Sequence, residues 1–255
     1  MPPAHHWARA PRDALPVALA LALSPLIAAT APEVEEPLAR MRGLIEAERA
    51  LGLFFEPAVY RWVAARPPVM GALEVTYVGA HLPVALGVLA WVWRARPHAF
   101  SLARNTFVCT QTLAMIGAAV APTAPPRMVP GLGYDRRPGP GDHGLGRLVQ
   151  SPYAAMPSAH AAFALVAAGT VWSLTQSTAV RMAALAYPPA VVVEVIATGN
   201  HVWLDAVGGL VIAGLGVATA CAVQHARSSR QRSRRNTGRA WATCSRRAAR
   251  IVGWP

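Results

Sequence analysis

Apolar runs of near-bilayer length alternate along the chain with short polar stretches rich in Pro, Gly and Arg, and this alternation predicts the architecture. Six runs are long enough to be membrane helices: 15–31, 69–93, 105–121, 154–175, 180–199 and 202–224. Between the first two, residues 33–66 are mixed. Glu33, Glu35 and Glu36 open this segment, and Met41, Leu44, Ile45, Leu51, Phe55, Val59 and Trp62 recur at three-or-four spacing. That pattern fits amphipathic helices lying in the membrane surface and interrupted at Pro57, or an outer segment packed on the bundle. Between the third and fourth runs, residues 122–152 are too irregular to sit in lipid. The expected fold is therefore an all-α, polytopic membrane helix bundle of six transmembrane helices, with interfacial amphipathic helices before the second span.

The first run follows a polar N-terminus containing Arg9 and Arg12 and ends in Ala29-Thr30-Ala31, the small-x-small pattern of a signal-peptide cleavage site. Pro32 follows immediately and should impede cleavage, which favours a retained first helix. Three parts result: residues 1–31 as cytoplasmic N-terminus and first helix, 32–224 as a membrane domain, and 225–255 as a disordered Arg-rich cytoplasmic tail able to lie on anionic headgroups.

Composition agrees with a membrane protein: of 255 residues, 54% are hydrophobic and 14% charged. The formal charge is +12, and all 24 basic residues are Arg. Fifteen of them fall at the N-terminus, in the loops after the second and fourth runs and in the tail, with only Asp13 opposing; the other side holds nine against eight acids. The positive-inside rule then puts both termini in the cytoplasm, and the Arg excess reads as topology rather than nucleic-acid binding. The ends of the third and fifth runs and the starts of the fourth and sixth face outside. Cys109, Cys221 and Cys244 have neither disulfide nor metal-ligand spacing.

Three polar clusters lie on that outer side: Ala121-Pro-Thr-Ala-Pro-Pro-Arg127, Met156-Pro-Ser-Ala-His160 and Thr198-Gly-Asn-His-Val-Trp-Leu-Asp205. Pro157 suits the first position of a helix. A helix starting there leaves the N–H groups of Ser158, Ala159 and His160 unpaired at the positive end of a dipole, which suits a bound phosphate. His201 and Asp205, four apart at a helix start, share one face. A carboxylate on one imidazole nitrogen fixes the tautomer and leaves the other nitrogen as a nucleophile, while the structural alternative is a polar cap where the helix meets water. Glu74, Tyr77 and His81 share a face of the second span and read as a packing network or as contacts to a headgroup or acceptor alcohol. Glu194, two turns below His201, is expected to pair with Arg127 or another outer Arg.

In this order the clusters resemble the type-2 phosphatidic acid phosphatase superfamily, and more closely its branch related to inositol phosphorylceramide synthase. The likeness runs from about Glu48 to the end of the sixth run. It implies that His201 attacks phosphorus to form a phosphohistidine, with Asp205 orienting it. It implies that His160 protonates the leaving oxygen and then activates the water or alcohol that resolves the intermediate. Arg127 and the N–H groups around Ser158 and Ala159 would hold the phosphate oxygens. Asn200, in the third cluster, joins the substrate-binding candidates. No metal or cofactor is implied, since two histidines and fixed donors cover proton transfer and charge.

This chain departs from the wider superfamily at Val120, Met128, Ala159 and Val195, where that pattern has Lys, Pro, Gly and Arg. Two cationic phosphate ligands are thereby missing, which fits the branch better than the parent; Arg136, Arg137 and Arg147 are candidates to replace them. The expected function is a lipid-phosphate phosphatase or phosphotransferase at the outer face of the cytoplasmic membrane. Its partners are a lipid phosphate or diphosphate and membrane lipids, with no nucleic acid; the oligomeric state stays open. A transporter using His81, Glu74 and Glu194 is the alternative of another class, and it expects paired broken helices in matching halves.

Overall fold

The structure, a computed structural model, describes residues 10–134 and 151–251, with side chains up to Arg230. Nine α-helices occur among the described residues: α1 (Ala10–Ala29), α2 (Glu35–Ala50), α3 (Glu56–Ala64), α4 (Pro67–Gly79), α5 (His81–Ala95), α6 (Pro97–Val120), α7 (Ala159–Leu174), α8 (Thr178–Ala197) and α9 (Trp203–Ile251). A single 3₁₀ turn, Pro126–Met128, precedes α7. The class is all-α, as the hydrophobic pattern predicts.

Among the described residues, three to four helices rather than six meet the length and apolarity needed for a span. Three helices are long and apolar enough to cross a membrane: α1, α8 and the Trp203–Arg230 part of α9. They become four if α4 and α5, bent by 47°, form one broken span. Large apolar side chains on these helices face outward, among them Leu19, Leu185, Val193, Val211 and Leu215. The chain is thus a multi-pass membrane protein. Of the two other expected spans, α7 has 16 residues, about 24 Å at 1.5 Å per residue, short of a hydrocarbon core of about 30 Å. The other, α6, has the length but is diluted by His98, Arg104, Asn105 and Gln111.

The expected second span breaks at Ala80, and Pro83 gives the reason. It has no N–H to donate to the Gly79 carbonyl, and its ring crowds that carbonyl, so the first helix stops and a second starts. Residues 33–66 form α2 and α3, with Pro57 in the first turn of α3 as the pattern indicates. Leu38, Met41 and Ile45 of α2 are buried against Ala124, Val129, Ala155 and Val202, so this amphipathic face packs on the polar end of the bundle. Past the membrane-length part of α9, the chain continues helical into the basic tail.

At the centre α6 packs on α1, α5, α7 and α9, and α7 packs on α8 and α9 as well. Phe107 and Phe163 stack at 4.8 Å between α6 and α7. Close approach of α9 to α7 rests on Gly209, where an added Cβ would lie 2.4 Å from the Ser158 carbonyl oxygen. These contacts bring the C-terminal ends of α6 and α8 to the N-terminal ends of α7 and α9.

Candidate functional site

Backbone hydrogen bonds tie the three polar segments into a triangle at that end of the bundle. Thr123 donates to the Tyr153 carbonyl (2.8 Å) and accepts from Ala155 (3.1 Å), joining the first segment to the second. The Arg127 N–H donates to the Gly199 carbonyl (3.1 Å), joining the first to the third. The Ser158 N–H donates to the Asp205 carbonyl (3.0 Å), joining the second to the third. Gly199, at φ 68°, supplies the left-handed turn that ends α8 and lets the chain double back.

Helix α7 starts at Ala159, not at Pro157. Ser158 is its N-cap, with Oγ accepting from the Ala161 N–H at 3.4 Å, because a serine hydroxyl satisfies an orphan donor that proline cannot. The Ser158 N–H, expected to be free for an anion, is therefore taken by Asp205. Ala159 and His160 keep backbone N–H groups without a partner among the described residues.

His201 is 2% exposed and Asp205 fully buried. His201 Nδ1 lies 3.4 Å from Asp205 Oδ2, too long for a strong hydrogen bond, and Nε2 faces Ser158 Oγ at 3.5 Å. Asp205 also reaches back from the third position of α9 to accept the Val202 N–H at 3.1 Å. The next two donors of α9 go to side chains from the start of the chain. Trp203 N–H donates to Glu56 Oε1 (3.0 Å), and Leu204 N–H donates to Glu48 Oε1 (2.9 Å). The N–H groups of Val202, Trp203 and Leu204 at the start of α9 are thus each taken by a buried carboxyl, which suits the positive end of its dipole. Burial pushes the Glu48 carboxyl up to about 8; the Leu204 N–H opposes this, and the neighbouring Glu56 and Asp205 charges add to it. Glu48 and Glu56 are positioning groups that the sequence reading missed, since nothing local to them points to α9.

The His160 ring stacks on Tyr77 (4.3 Å), meets His81 edge-on (4.9 Å) and lies 5.9 Å from His201 between ring centres. His160, His201, Tyr77, His81 and Asn200 line one cavity of about 270 Å³. Of the expected stripe on the second span, Tyr77 and His81 reach this cavity from either side of the helix break. Glu74 is half-buried and not part of its wall.

Glu194 does not pair with an arginine. Its Oε2 lies 2.7 Å from His81 Nε2, out of line for a straight hydrogen bond, and its Oε1 accepts from the Thr76 hydroxyl. Tyr187 OH completes the group at 3.2 Å from His81 Nδ1. The reason is direction: α8 turns this face toward α4 and α5, while Arg127 is drawn to the third segment, where its Nε donates to Asn200 Oδ1 at 3.0 Å. Arg136, Arg137 and Arg147 lie outside the described residues. Val195 is a buried core residue packed with Ala164 and Val191, and Val120 is 75% exposed, so neither position offers a cation. Cys109 and Cys221 are free thiols. Among the described residues no group of three or more His, Cys, Asp or Glu is arranged to hold a metal ion.

Two imidazoles, one backed by a carboxylate, thus meet across a partly apolar cavity beside unpaired N–H groups at a helix start. Such a set can attack an electrophilic phosphorus, move a proton and hold anionic oxygens. A model of the PAP2 superfamily matches residues 42–219, a range that holds all three segments together with Glu48 and Glu56. No curated protein and no solved structure matches the chain.

Proposed function

The chain belongs to the PAP2 superfamily, and from that membership and its three joined segments we propose that it is a lipid-phosphate phosphatase or phosphotransferase working through a phosphohistidine. The observation that carries this is the His201 ring, with Nδ1 toward Asp205 and Nε2 toward Ser158 at the start of α7. With the Nδ1 proton held toward the carboxylate, Nε2 keeps its lone pair and attacks phosphorus.

As the N–P bond forms, the bond from phosphorus to the leaving oxygen breaks, and His160 gives that oxygen its proton. Now neutral, His160 takes a proton from water or an alcohol, whose oxygen attacks phosphorus and releases His201. Asp205 balances the positive charge on the phosphorylated imidazole. The Ala159 and His160 N–H groups and Arg127, steadied by Asn200, hold the phosphoryl oxygens as charge shifts onto them. Tyr77 and His81 bound the pocket on the His160 side. This chemistry calls on no metal.

The inositol phosphorylceramide synthase-like branch is the finer assignment. Its support is Ala159 in the second segment and Val120 and Val195 in place of cations. With α6 and α7 counted as spans the bundle has six. The arginine distribution then supports a site on the outer face of the cytoplasmic membrane with both termini inside. A transporter expects two broken helices in matching halves; among the described residues there is one bent pair, α4 with α5.

The test is a panel of phosphatidate, phosphatidylglycerol phosphate and polyprenyl diphosphate offered to purified protein in detergent with a chelator, with and without diacylglycerol or inositol. Free phosphate identifies hydrolysis, and a new phospholipid identifies transfer. No product from any donor contradicts the proposal.

A further inference from the structure

Gln111 lies inside α6, is 4% exposed, and its side-chain amide has no hydrogen-bond partner among the described residues. A buried amide left unpaired costs stability, the more so in a bundle surrounded by lipid. Its side chain lines the cavity that holds His160 and His201, so the space next to the amide is space a ligand can fill.

Helix register places it at the chemistry. Phe107 of α6 stacks on Phe163 of α7, and Gly117 of α6 abuts Pro157 just before α7, so the two helices run antiparallel. From the Phe pair toward the site, Gln111 is four residues along α6 and His160 three residues back along α7. At 1.5 Å per residue these are about 6 Å and 4.5 Å, which puts both side chains at one level. The walls around them are otherwise mostly apolar, with Leu21, Val78, Leu82, Met115 and Phe163 among them.

We propose that Gln111 is a substrate-binding residue whose amide hydrogen-bonds a carbonyl or hydroxyl carried by the leaving group within a few bonds of phosphorus. This rests on the lipid-phosphate reading above, in which His160 faces the leaving oxygen. A diacylglycerol leaving group has ester carbonyls at that distance, and a sphingoid one has an amide and a hydroxyl. A polyprenyl alcohol has only carbon beyond the bridging oxygen and leaves Gln111 unpaired. A site that buries a hydrogen-bonding group discriminates against the analogue that cannot answer it. The substrate class is thus an ester- or amide-bearing phospholipid, and polyprenyl phosphates are disfavoured.

The test is binding of non-hydrolysable phosphonates to the full-length protein in detergent, comparing diacylglycerol, dialkyl-ether, ceramide and polyprenyl forms by calorimetry. Wild type is expected to bind the diacylglycerol or ceramide form about tenfold more tightly than the ether and polyprenyl forms. Gln111→Leu, or the near-isosteric Gln111→Met should the first fail to fold, is expected to erase that preference. Whichever carbonyl form binds better identifies the source. Equal binding of carbonyl and ether forms by wild type, no binding of any form, or a preference that survives both variants overturns the proposal. Because binding is read without turnover, a chain that shows the Gln111-dependent preference yet forms no product keeps this inference and loses the catalytic one.

Discussion

Glu48 Oε1 accepts the backbone N–H of Leu204 at 2.9 Å, so α2 holds the start of the helix that carries Asp205. Burial lifts this carboxyl from 4.5 to about 8, and the acidic groups facing it are Glu56 from α3 and Asp205 from α9. The folded protein thus keeps a proton that the unfolded chain releases near 4.5. Stability from this group is full below that pH and falls as pH rises toward 8. The melting temperature should drop between pH 5 and pH 8, and Glu48→Gln, which keeps an acceptor and cannot ionise, should flatten the drop. Glu48→Leu should cost about 1–2 kcal/mol at pH 5 through the lost cap. An unchanged pH slope in Glu48→Gln would contradict this.

His81 and Glu194 form a buried pair whose members depend on each other. Glu194→Leu removes the carboxylate beside His81 Nε2 and one of the acceptors of the Thr76 hydroxyl, which keeps the Ala72 and Leu73 carbonyls, and should destabilise by about 3 kcal/mol. The double variant His81→Leu/Glu194→Leu should cost less than the two single changes together, by about 1–3 kcal/mol. Denaturant unfolding in detergent measures all three; strictly additive costs would show that the pair is not coupled.

Gly209 sets how closely α9 approaches α7. A methyl there meets the Ser158 carbonyl oxygen at 2.4 Å and Ala161 Cβ at 3.1 Å, and neither is a flexible side-chain end. Gly209→Ala should cost about 1–3 kcal/mol and reduce turnover by moving Asp205 away from Ser158. Gly214 on the same helix has nothing within 4 Å, and Gly214→Ala should be neutral or slightly stabilising. Equal melting temperatures for the two variants would refute the steric account.

The all-α class and the meeting of three polar segments were legible because both follow from local pattern: apolar runs define helices, and polar residues at run ends collect where the ends meet. Contacts between distant elements were not. Charge alone suggested an arginine for Glu194, but helix direction gives it His81 and Thr76. Hydropathy averaged over 69–93 hid the break that Pro83 enforces after Gly79. Glu48 and Glu56 enter the sequence reading in the count of acids on the outer side, although both are fully buried. An uncharged amide barely alters an apolar run, so the role of Gln111 becomes visible only in the cavity that it lines.

Where phosphorus becomes covalently bound is the most direct measurement. The protein is mixed with a lipid phosphate, quenched under alkaline conditions that preserve phosphohistidine, and mapped by mass spectrometry, alongside His201→Ala and His160→Ala. The account predicts phosphate on His201, none in His201→Ala, and turnover lost in both variants. Phosphate on a different residue, or near-full turnover by His201→Ala, would contradict it.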